Sequence, residues 1–484
     1  MKILGINCLN HDSAISVIED GEILFASHSE RYSRIKNDKY LNDEIVEEAL
    51  SYGIPDKIVY YERPYLKKLR QAYAGQWSRA LSESNLPGVH LSRWFNDKEI
   101  HYIDHHKSHA AAGYYTSSFD EAAIVVIDAI GEWDVCTVWH GKKDKLKRIK
   151  SIRYPHSLGI FYSAMTQRLG LKPCEEEYIL MGMSAWGEPK YKNKMLEDFF
   201  DTGSMYRLKK NLHKGVGDYI PNGKDFDIAA STQSSTEHIL DIVFMNVKKM
   251  LPQVENLVYM GGVSLNCVAN SSILPKYYSN IWIMPNPGDA GSSLGCAASY
   301  YGKKINWKTP FLGKNIPGEY PVKGALDLLD RGKIFGIASG RAEFGPRALG
   351  NRSLLADPRG HEIKDRVNEI KKRQKFRPFA PAVLEEMAHE IFDIPVSSVP
   401  YMQFIAKCKF PEKYPAICHV DNTSRVQTVS KKDNLGFYNL IKEFYNRTGC
   451  PLLLNTSLNI KGQPIVNDEN DAKEFEKFYN VPVL

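Results

Sequence analysis

The stretch AIVVID at residues 123–128 is a continuous apolar run that ends on an acidic side chain, Asp128. A short apolar run rich in β-branched residues predicts a buried β-strand. In open α/β sheets, ligands bind in the turns beyond the strand ends. The stretch therefore predicts an α/β fold and makes Asp128 a candidate site residue.

The rest of the chain follows the same mixed pattern. A second apolar run, NLVYM at residues 256–260, precedes a glycine turn and predicts another buried strand, and the first 27 residues predict strands joined by a tight turn. The sequence has no internal repeat and no low-complexity tract. Apolar spacing predicts helices at Asp43–Tyr52, Ile160–Leu169, Thr236–Met250 and Gly291–Tyr301.

The composition is that of a globular chain of 484 residues with 43% hydrophobic content, long enough for two or three domains. The segment WKTPFLGKNIPGEY at residues 307–320 is rich in Pro and Gly and lacks apolar periodicity. We therefore expect one domain at residues 1–310 and a second at residues 311–484. Neither a signal sequence nor a run of about 18 apolar residues is found, which predicts a cytoplasmic location and no membrane span.

Charge and cysteine usage argue against other classes of protein. A net charge of +6 is small for a domain whose main task is to bind nucleic acid. The eight cysteines are scattered without a C-x-x-C pair, so they favour neither a disulfide framework nor a cysteine-ligated zinc site. The Lys-rich stretch at residues 142–150 is interpreted as a solvated hairpin.

The sequence DHHKSHAAAG at residues 104–113 contains three histidines, of which His105 and His109 are spaced four apart. On a helix they share one face, which is the spacing of metal ligands, although such a pair alone is also typical of surface or capping histidines. Asp128 and Asp289 can add oxygen ligands and leave coordination positions open. Histidine with carboxylate suits iron(II) or manganese better than a structural zinc.

Two basic blocks lie in the second half of the chain. GRAEFGPRALGNR at residues 340–352 places three arginines among glycines and a proline, and KKRQKFRPFAP at residues 371–381 has cations beside prolines. Arginine forks bind phosphate oxygens bidentately. The blocks predict a polyphosphate site, and a solvated basic surface is the alternative.

These motifs resemble those of a known family. HHKSHAAAGYYTSSF, GGVSLNCVAN and GDAGSSLGCA are similar to the O-carbamoyltransferases of aminoglycosides, cephamycins and nodulation factors. GRAEFGPRALGNRS, FRPFAP, TSRVQ and LNTSLN resemble the C-terminal domain of that family, so the resemblance covers nearly the whole chain. It implies an actin-like, ribonuclease-H-like first domain and an α/β second domain similar to threonylcarbamoyl-adenylate synthases.

The resemblance also implies the site residues. Those matching the ligands of the catalytic metal, iron(II) with manganese or magnesium as alternatives, are His105, His109, Asp128 and Asp289. Those implied to bind ATP, carbamoyl phosphate or the adenylate are Gly261, Gly262, Asn266, Arg341, Arg347, Arg352, Lys371, Arg373, Arg377, Ser424, Arg425, Asn455 and Ser457. His106 is interpreted as structural or as a neighbour of the metal ligands.

Three positions depart from the family pattern. Ala129 replaces a glycine in DAIGE, Ile179 replaces a lysine in EYILMG, and Gln374 stands where an acidic residue is common. Ile179 cannot supply the charge of a lysine, so the contact that this lysine makes is not expected here. The four metal ligands are intact.

By resemblance, the second domain releases carbamate from carbamoyl phosphate and adenylates it with ATP, and the first domain transfers the carbamoyl group to a hydroxyl. The metal either polarises the carbamoyl oxygen or lowers the pKa of the acceptor hydroxyl, and the sequence does not choose between these roles. The alternatives are an actin-like ATPase or sugar kinase and a basic nucleic-acid-binding protein. Assembly as a homodimer is left open.

The acceptor is predicted from residues 60–98, where Tyr, Trp and Phe are interleaved with Lys and Arg. A polycationic aminoglycoside would require an acidic site, so this stretch favours an anionic or aromatic acceptor. Because the family includes bacteriophage enzymes that carbamoylate hydroxymethylated cytosine, we hypothesise a hydroxymethylpyrimidine nucleotide or its DNA form. The alternative is that these aromatic side chains face the core.

Overall fold

The computed structural model of the protein describes residues 1–203, 205–374, 376 and 379–484, and the chain divides into two compact units. The first unit comprises Met1–Ser29 and Asn37–Trp307, and the second comprises Glu30–Lys36 and Lys308–Leu484. The expected first domain, residues 1–310, includes Glu30–Lys36, which the structure places in the second unit. This segment begins with helix α1 (Glu30–Ser33), whose Arg31 bonds to a carbonyl of the second unit.

Two five-stranded sheets of the same design organise the first unit. Their strand orders are β3-β2-β1-β4-β5 and β12-β11-β6-β7-β8. In the first, β1 pairs antiparallel with β2 and parallel with β4; in the second, β6 pairs antiparallel with β7 and parallel with β11. The backbone therefore repeats although the sequence does not. The strands of this unit are β1 (Lys2–Asn7), β2 (Ala14–Glu19), β3 (Glu22–His28), β4 (Lys57–Tyr60), β5 (Ile100–Tyr102), β6 (Glu121–Gly131), β7 (Asp134–Lys142), β8 (Lys145–Arg153), β9 (Phe200–Asp201), β10 (Arg207–Leu208), β11 (Asn256–Met260) and β12 (Asn280–Trp282).

Helices α6 and α12 of the first unit pack closely against each other. A Cβ atom on Gly295 of α12 would lie 1.9 Å from the carbonyl oxygen of Ser108 on α6, so only glycine permits this approach. The contact brings the N-terminal half of α6 close to the turn that precedes α12. The helices of this unit are α2 (Asp43–Ser51), α3 (Pro64–Tyr73), α4 (Trp77–Leu81), α5 (Pro87–Phe95), α6 (His105–Thr116), α7 (Leu158–Arg168), α8 (Glu177–Met183), α9 (Lys192–Phe199), α10 (Asp225–Met250), α11 (Cys267–Ile273) and α12 (Ser292–Tyr301).

The second unit is built on a mixed sheet with the strand order β14-β16-β22-β17-β21. The first basic block occupies β15, the following loop and the start of β16. The strands are β13 (Phe311–Ile316), β14 (Phe335–Ala338), β15 (Gly340–Glu343), β16 (Arg352–Ala356), β17 (Ala380–Leu384), β18 (Phe392–Asp393), β19 (Ile405–Cys408), β20 (Thr423–Arg425), β21 (Gln427–Val429) and β22 (Leu452–Ser457). The helices are α13 (Val322–Asp330), α14 (His361–Lys371), α15 (Ala388–Ile391), α16 (Leu435–Thr448) and α17 (Glu469–Tyr479).

The mixed α/β pattern predicted from the sequence is confirmed, with differences in the bounds of the elements. The predicted helix Thr236–Met250 is the C-terminal part of α10, which begins at Asp225. Its first half was missed because its buried positions include Ser231 and Thr232, whose hydroxyls donate to carbonyls one turn earlier. All eight cysteines are free thiols, and within the described ranges no helix is long and apolar enough to span a membrane.

Candidate functional site

Four side chains from three parts of the first unit converge on one point. His105 and His109 lie on α6, Asp128 lies on β6, and Asp289 begins the single helical turn Asp289–Gly291 before α12. One ligand atom from each residue lies within 4.8 Å of the other three, and all four residues are buried. The structure therefore brings together the four residues that the sequence singled out.

The distances between these atoms are those of ligands around one cation. Nε2 of His109 lies 3.2 Å from Nε2 of His105 and 3.2 Å from Oδ1 of Asp289. Nε2 of His105 lies 3.2 Å from Oδ2 of Asp128. Metal–ligand bonds of about 2.1 Å separate neighbouring ligands by about 3.0–3.4 Å in octahedral or tetrahedral geometry. The nitrogen and oxygen donors therefore fit a divalent metal ion.

The electrostatics of the cluster favour positive charge at its centre. Burial opposes charge on the imidazole of His105, but the Asp289 and Asp128 carboxylates outweigh it and raise the pKa of His105 well above its usual value. Burial also opposes the carboxylate of Asp128, yet its hydrogen bonds to His105 and His109 lower its pKa well below the usual range. A divalent cation would supply the same charge and let both imidazoles bind in the neutral form.

The outer oxygens of the two carboxylates are held by the chain. Oδ1 of Asp128 accepts hydrogen bonds from the backbone N–H groups of Ala129 at 2.8 Å and Gly262 at 3.3 Å. Oδ2 of Asp289 accepts one from Nδ2 of Asn10 at 3.2 Å and lies 3.7 Å from Nε2 of His11. These contacts direct the remaining oxygen of each carboxylate toward the histidines.

The far side of the His105 ring faces a buried carboxylate. Nδ1 of His105 lies 3.8 Å from Oε2 of Glu62, whose other oxygen is held by Nζ of Lys67 at 2.6 Å. Carboxylates behind a ligating imidazole orient the ring and raise its basicity. Sequence reasoning missed Glu62, and it missed Asn10 and His11 as site residues although they directly follow β1, the kind of position that marked Asp128.

The start of α6 is fixed by charge. Asp104 caps the helix, accepting from the N–H of Lys107 at 2.9 Å, and also accepts from Arg63 at 2.5 Å. Arg63 in turn binds Glu132 at 2.6 Å. This network ties the first turn of α6 to the end of β6, and so ties the first histidine ligand to the strand that carries Asp128.

His106 does not point into the cluster with its neighbours. Its Nδ1 lies 2.9 Å from the hydroxyl of Thr137, and burial together with the nearby imidazoles of His105 and His109 lowers the pKa of His106 to about 3. A neutral, hydrogen-bonded histidine at this position agrees with its interpretation as a structural residue.

The glycine turn after β11 closes the site from the other side. Gly261 has φ = 90°, and a Cβ atom there would lie 2.2 Å from the carbonyl oxygen of Ile127, so the position requires glycine. Asn266 caps α11 by accepting from the N–H of Ala269, and its amide pairs with that of Gln233 at 2.9 and 3.1 Å. The turn thus supports β6 beside Asp128.

The three residues that depart from the family pattern, Ala129, Ile179 and Gln374, differ in burial and in contacts. Ile179 is 3% exposed and packs within the first unit, so α8 uses this position for the core rather than for a charge. Ala129 supplies only its backbone N–H to the Asp128 carboxylate, which an alanine does as well as a glycine. Gln374 is exposed.

Three residues expected to bind phosphate are instead used by the backbone of the second unit. The guanidinium of Arg352 is fully buried and donates to five backbone carbonyl oxygens at 2.9–3.2 Å, those of Ser339, Asn351, Lys314, Gly340 and Asn467. Nζ of Lys371 donates to both the carbonyl and the side chain of Asn459 and to the carbonyl of Ser457. The hydroxyl of Ser424 donates to Ile417. In this arrangement the side-chain donors of Arg352, Lys371 and Ser424 are all used within the second unit, and their role in phosphate binding stays a prediction.

The other arginines predicted to bind phosphate differ in burial and in their hydrogen-bond partners. Arg347 is half-buried on the loop after β15, and Arg425 has a buried Nε that finds no hydrogen-bond partner in the described part of the chain. Arg373 bonds Asn368 at 2.9 Å and stacks on Phe379 at 3.9 Å.

The others bond to groups of the chain. Arg341 donates to the carbonyls of Leu312 and Gly313 on β13. Asn455 donates to the carbonyl of Ala348, and the Ser457 hydroxyl donates to the side chain of Asn459. Arg377 lies outside the described residues.

The aromatic side chains of residues 60–98 divide into two groups, and Tyr60, Tyr61 and Phe95 are buried, as the core-facing alternative predicts. Tyr65, Tyr73 and Trp77 on α3 and α4 are each more than half exposed, so for these three the core-facing alternative was wrong. The cations beside them are less available, since Lys67 bonds Glu62 and Arg70 is buried with Nε on the carbonyl of Glu132. Arg79 on α4 and Lys98 are exposed.

The first unit of this mixed α/β fold thus contains a buried cluster of histidines and carboxylates that could hold a metal ion. Comparison with protein families identifies the chemistry. The family model for the carbamoyltransferase N-terminus matches residues 2–73 and 60–298, and the model for the carbamoyltransferase C-terminus matches residues 326–484. The chain belongs to the carbamoyltransferase family and is a transferase.

Relatives span nearly the whole chain. An uncharacterized protein of Synechocystis is 33% identical over 97% of this chain and 93% of its own length. The nodulation protein NolNO of Sinorhizobium fredii is 31% identical over 96% of this chain and 76% of its own. The 3'-hydroxymethylcephem-O-carbamoyltransferase of Amycolatopsis lactamdurans is 27% identical over 95% and 94%. Among solved structures, component A of (R)-2-hydroxyglutaryl-CoA dehydratase from Acidaminococcus fermentans is similar to 62% of this chain, and 97% of its own chain is covered, with a TM-score of 0.38 and 13% identity.

Proposed function

We propose that this carbamoyltransferase works in two steps on two sites. The second unit forms carbamoyl-adenylate from carbamoyl phosphate and ATP, and the first unit transfers the carbamoyl group to an acceptor hydroxyl. The observation that carries the proposal is the buried convergence of His105, His109, Asp128 and Asp289 in the first unit, while the arginine-rich loop belongs to the second. The two chemistries thus have separate sets of side chains.

In the first step, carbamoyl phosphate is hydrolysed to carbamate and inorganic phosphate. A carbamate oxygen then attacks the α-phosphorus of ATP, the bond from that phosphorus to the bridging oxygen breaks, and pyrophosphate leaves. Charge accumulates on the phosphate oxygens, which arginine side chains stabilise. Among the arginines of the second unit, we assign this role to Arg347, Arg373 and Arg425.

In the second step, the acceptor oxygen attacks the carbamoyl carbon, the bond from this carbon to the AMP oxygen breaks, and the hydroxyl proton is lost. A divalent metal held by the four ligands would act as a Lewis acid on the carbamoyl oxygen or on the hydroxyl. Asn10, Ala129 and Gly262 orient the two carboxylates, and the carboxylate of Glu62, 3.8 Å from Nδ1 of His105, places a negative charge behind that ring.

The finer description of the fold is part of the same proposal. The repeated strand order of the two sheets supports an actin-like, ribonuclease-H-like first unit. We propose that the second unit is the counterpart of threonylcarbamoyl-adenylate synthases. Its arginine-rich loop, which begins at Phe344, joins β15 of a two-stranded sheet to β16 of the mixed five-stranded sheet.

For the acceptor we propose a hydroxymethylpyrimidine nucleotide or DNA that contains it. The exposed rings of Tyr65, Tyr73 and Trp77 offer stacking surfaces for a base. The name of the Amycolatopsis relative places a hydroxymethyl group on its own acceptor, which supports a primary alcohol on a ring.

The test is an incubation of the protein with iron(II), ATP, carbamoyl phosphate and a panel of acceptors. The panel contains hydroxymethyl-dCMP, hydroxymethylated DNA, an aminoglycoside and a neutral oligosaccharide. We expect a carbamoylated pyrimidine whose formation requires both ATP and carbamoyl phosphate. Carbamoylation of the aminoglycoside alone would refute the nucleotide acceptor, and product formation without ATP would refute the adenylate.

A further inference from the structure

A segment from the N-terminal part of the chain reaches into the second unit at the arginine loop. Glu30–Lys36 belongs to the second unit, outside the range 326–484 that the C-terminal family model matches. Within it, Arg31 is 2% exposed, and its Nη2 donates to the carbonyl oxygen of Gly345 at 2.9 Å. Gly345 lies two residues before Arg347.

The other end of this loop is held by a buried carboxylate. Oε1 of Glu343, which is 3% exposed, accepts hydrogen bonds from the backbone N–H groups of Leu349 at 2.8 Å, Asn351 at 3.0 Å and Arg352 at 3.2 Å. Three N–H groups directed at one carboxylate oxygen form a charge-assisted turn. The backbone of the loop is therefore closed over Glu343.

Arg31 and Glu343 each have polar side-chain atoms near the loop that make no hydrogen bond within the described part of the chain. Nε and Nη1 of Arg31 and Oε2 of Glu343 are buried and have no hydrogen-bond partner among the described residues. Oε1 of Glu30 lies 3.7 Å from Nε of Arg31, and the carboxylates of Glu30 and Glu343 are among the charges that act on Arg31. A buried arginine of α1 and a buried carboxylate of β15 at the same loop are difficult to explain by stability alone, since an apolar pair would cost less.

We propose that Arg31 and Glu343 are positioning residues that clamp the loop at both ends and so place Arg347 for the phosphates of the donor. The inference rests on the proposed formation of carbamoyl-adenylate in the second unit. It means that the phosphate site of this unit is completed by a residue from the beginning of the chain.

Arg34 provides a matched control within the same segment. It binds the carbonyls of Ile465 at 2.9 Å and Pro464 at 3.1 Å and the carboxylate of Asp471 at 3.1 Å, so it anchors the segment without touching the loop. If the segment serves only to stabilise the fold, Arg31→Met and Arg34→Met have the same consequences. If Arg31 positions Arg347, only Arg31→Met impairs the adenylation step in the folded enzyme.

The experiment measures pyrophosphate release from ATP and carbamoyl phosphate by the full chain. For Arg31→Met we expect kcat/KM to fall about ten- to a hundredfold, as misplacement of a binding group does, while Arg34→Met stays near the parent protein. The double variant Arg31→Met with Arg347→Ala should be no slower than Arg347→Ala alone, because Arg31 acts through Arg347. Equal losses in Arg31→Met and Arg34→Met, or multiplicative losses in the double variant, would overturn the proposal.

A second measurement does not depend on activity. In Glu343→Gln a neutral acceptor replaces the carboxylate, so the amides of Leu349, Asn351 and Arg352 should exchange hydrogen faster than in the parent protein. Unchanged exchange would contradict the clamp even if the parent protein releases no pyrophosphate. Absence of pyrophosphate release from the parent protein would instead contradict the proposed function.

Discussion

Nε2 of His105 and Nε2 of His109 lie 3.2 Å apart in a buried position, and both also face carboxylate oxygens. Two imidazole nitrogens at this distance require a proton or a cation between them. Helix α6, strand β6 and the turn Asp289–Gly291 bring these atoms together from separate parts of the first unit. The following predictions rest on this convergence and on the arginine loop.

His109→Ala should abolish carbamoyl transfer to the acceptor but leave pyrophosphate release nearly unchanged, because His109 belongs to the first unit only. Transfer is followed by mass spectrometry of the acceptor, and adenylation by a pyrophosphate assay. His106→Asn is the control, since His106 bonds Thr137 rather than the cluster. Equal loss of both activities in His109→Ala would contradict the division between the two units.

The metal should be bound with a stoichiometry of one per chain and removed by a chelator with loss of transfer. Glu62→Gln should weaken metal affinity about 10- to 100-fold, the usual effect of removing a carboxylate behind a ligating histidine. Metal content is measured by elemental mass spectrometry after equilibrium dialysis. Glu121→Gln is the control, because Glu121 pairs with Lys142 at the surface. Undiminished affinity in Glu62→Gln would remove Glu62 from the site.

Arg347→Ala should reduce formation of carbamoyl-adenylate yet spare transfer from adenylate that is supplied directly. The physical reason is the loss of a cation beside the phosphate oxygens. ATP consumption and transfer are measured on the same preparation. Normal ATP consumption would exclude Arg347 from the activation site.

Arg352→Met should destabilise the protein strongly rather than impair a single step. Its guanidinium satisfies five buried carbonyls, and leaving buried acceptors unpaired costs about 1–3 kcal/mol each, so a loss of at least about 3 kcal/mol is expected. Thermal unfolding measures the effect. Arg359→Met, at a half-buried pair with Asp357, should shift the midpoint only slightly. A midpoint unchanged by Arg352→Met would show that the carbonyls find other partners.

The convergence of His105, His109, Asp128 and Asp289 could be predicted from the sequence, whereas the hydrogen-bond partners of the arginines could not, for a physical reason. The spacing of His105 and His109 on a helix, and the position of Asp128 on an apolar strand, are local patterns. The partners of an arginine side chain depend on contacts with residues far away in sequence. Arg352 donates to the carbonyl of Asn467, and no pattern near Arg352 predicts this hydrogen bond. For the same reason the contact of Arg31 could not be predicted, since its partner Gly345 is more than three hundred residues away.

The first half-reaction tests the central claim most directly, because it needs no knowledge of the acceptor. The protein is incubated with ATP and carbamoyl phosphate, and the products are identified by mass spectrometry. The two-step account predicts a new species with the mass of carbamoyl-adenylate, released together with pyrophosphate and dependent on both substrates. Formation of ADP without pyrophosphate, or consumption of carbamoyl phosphate alone, would contradict it.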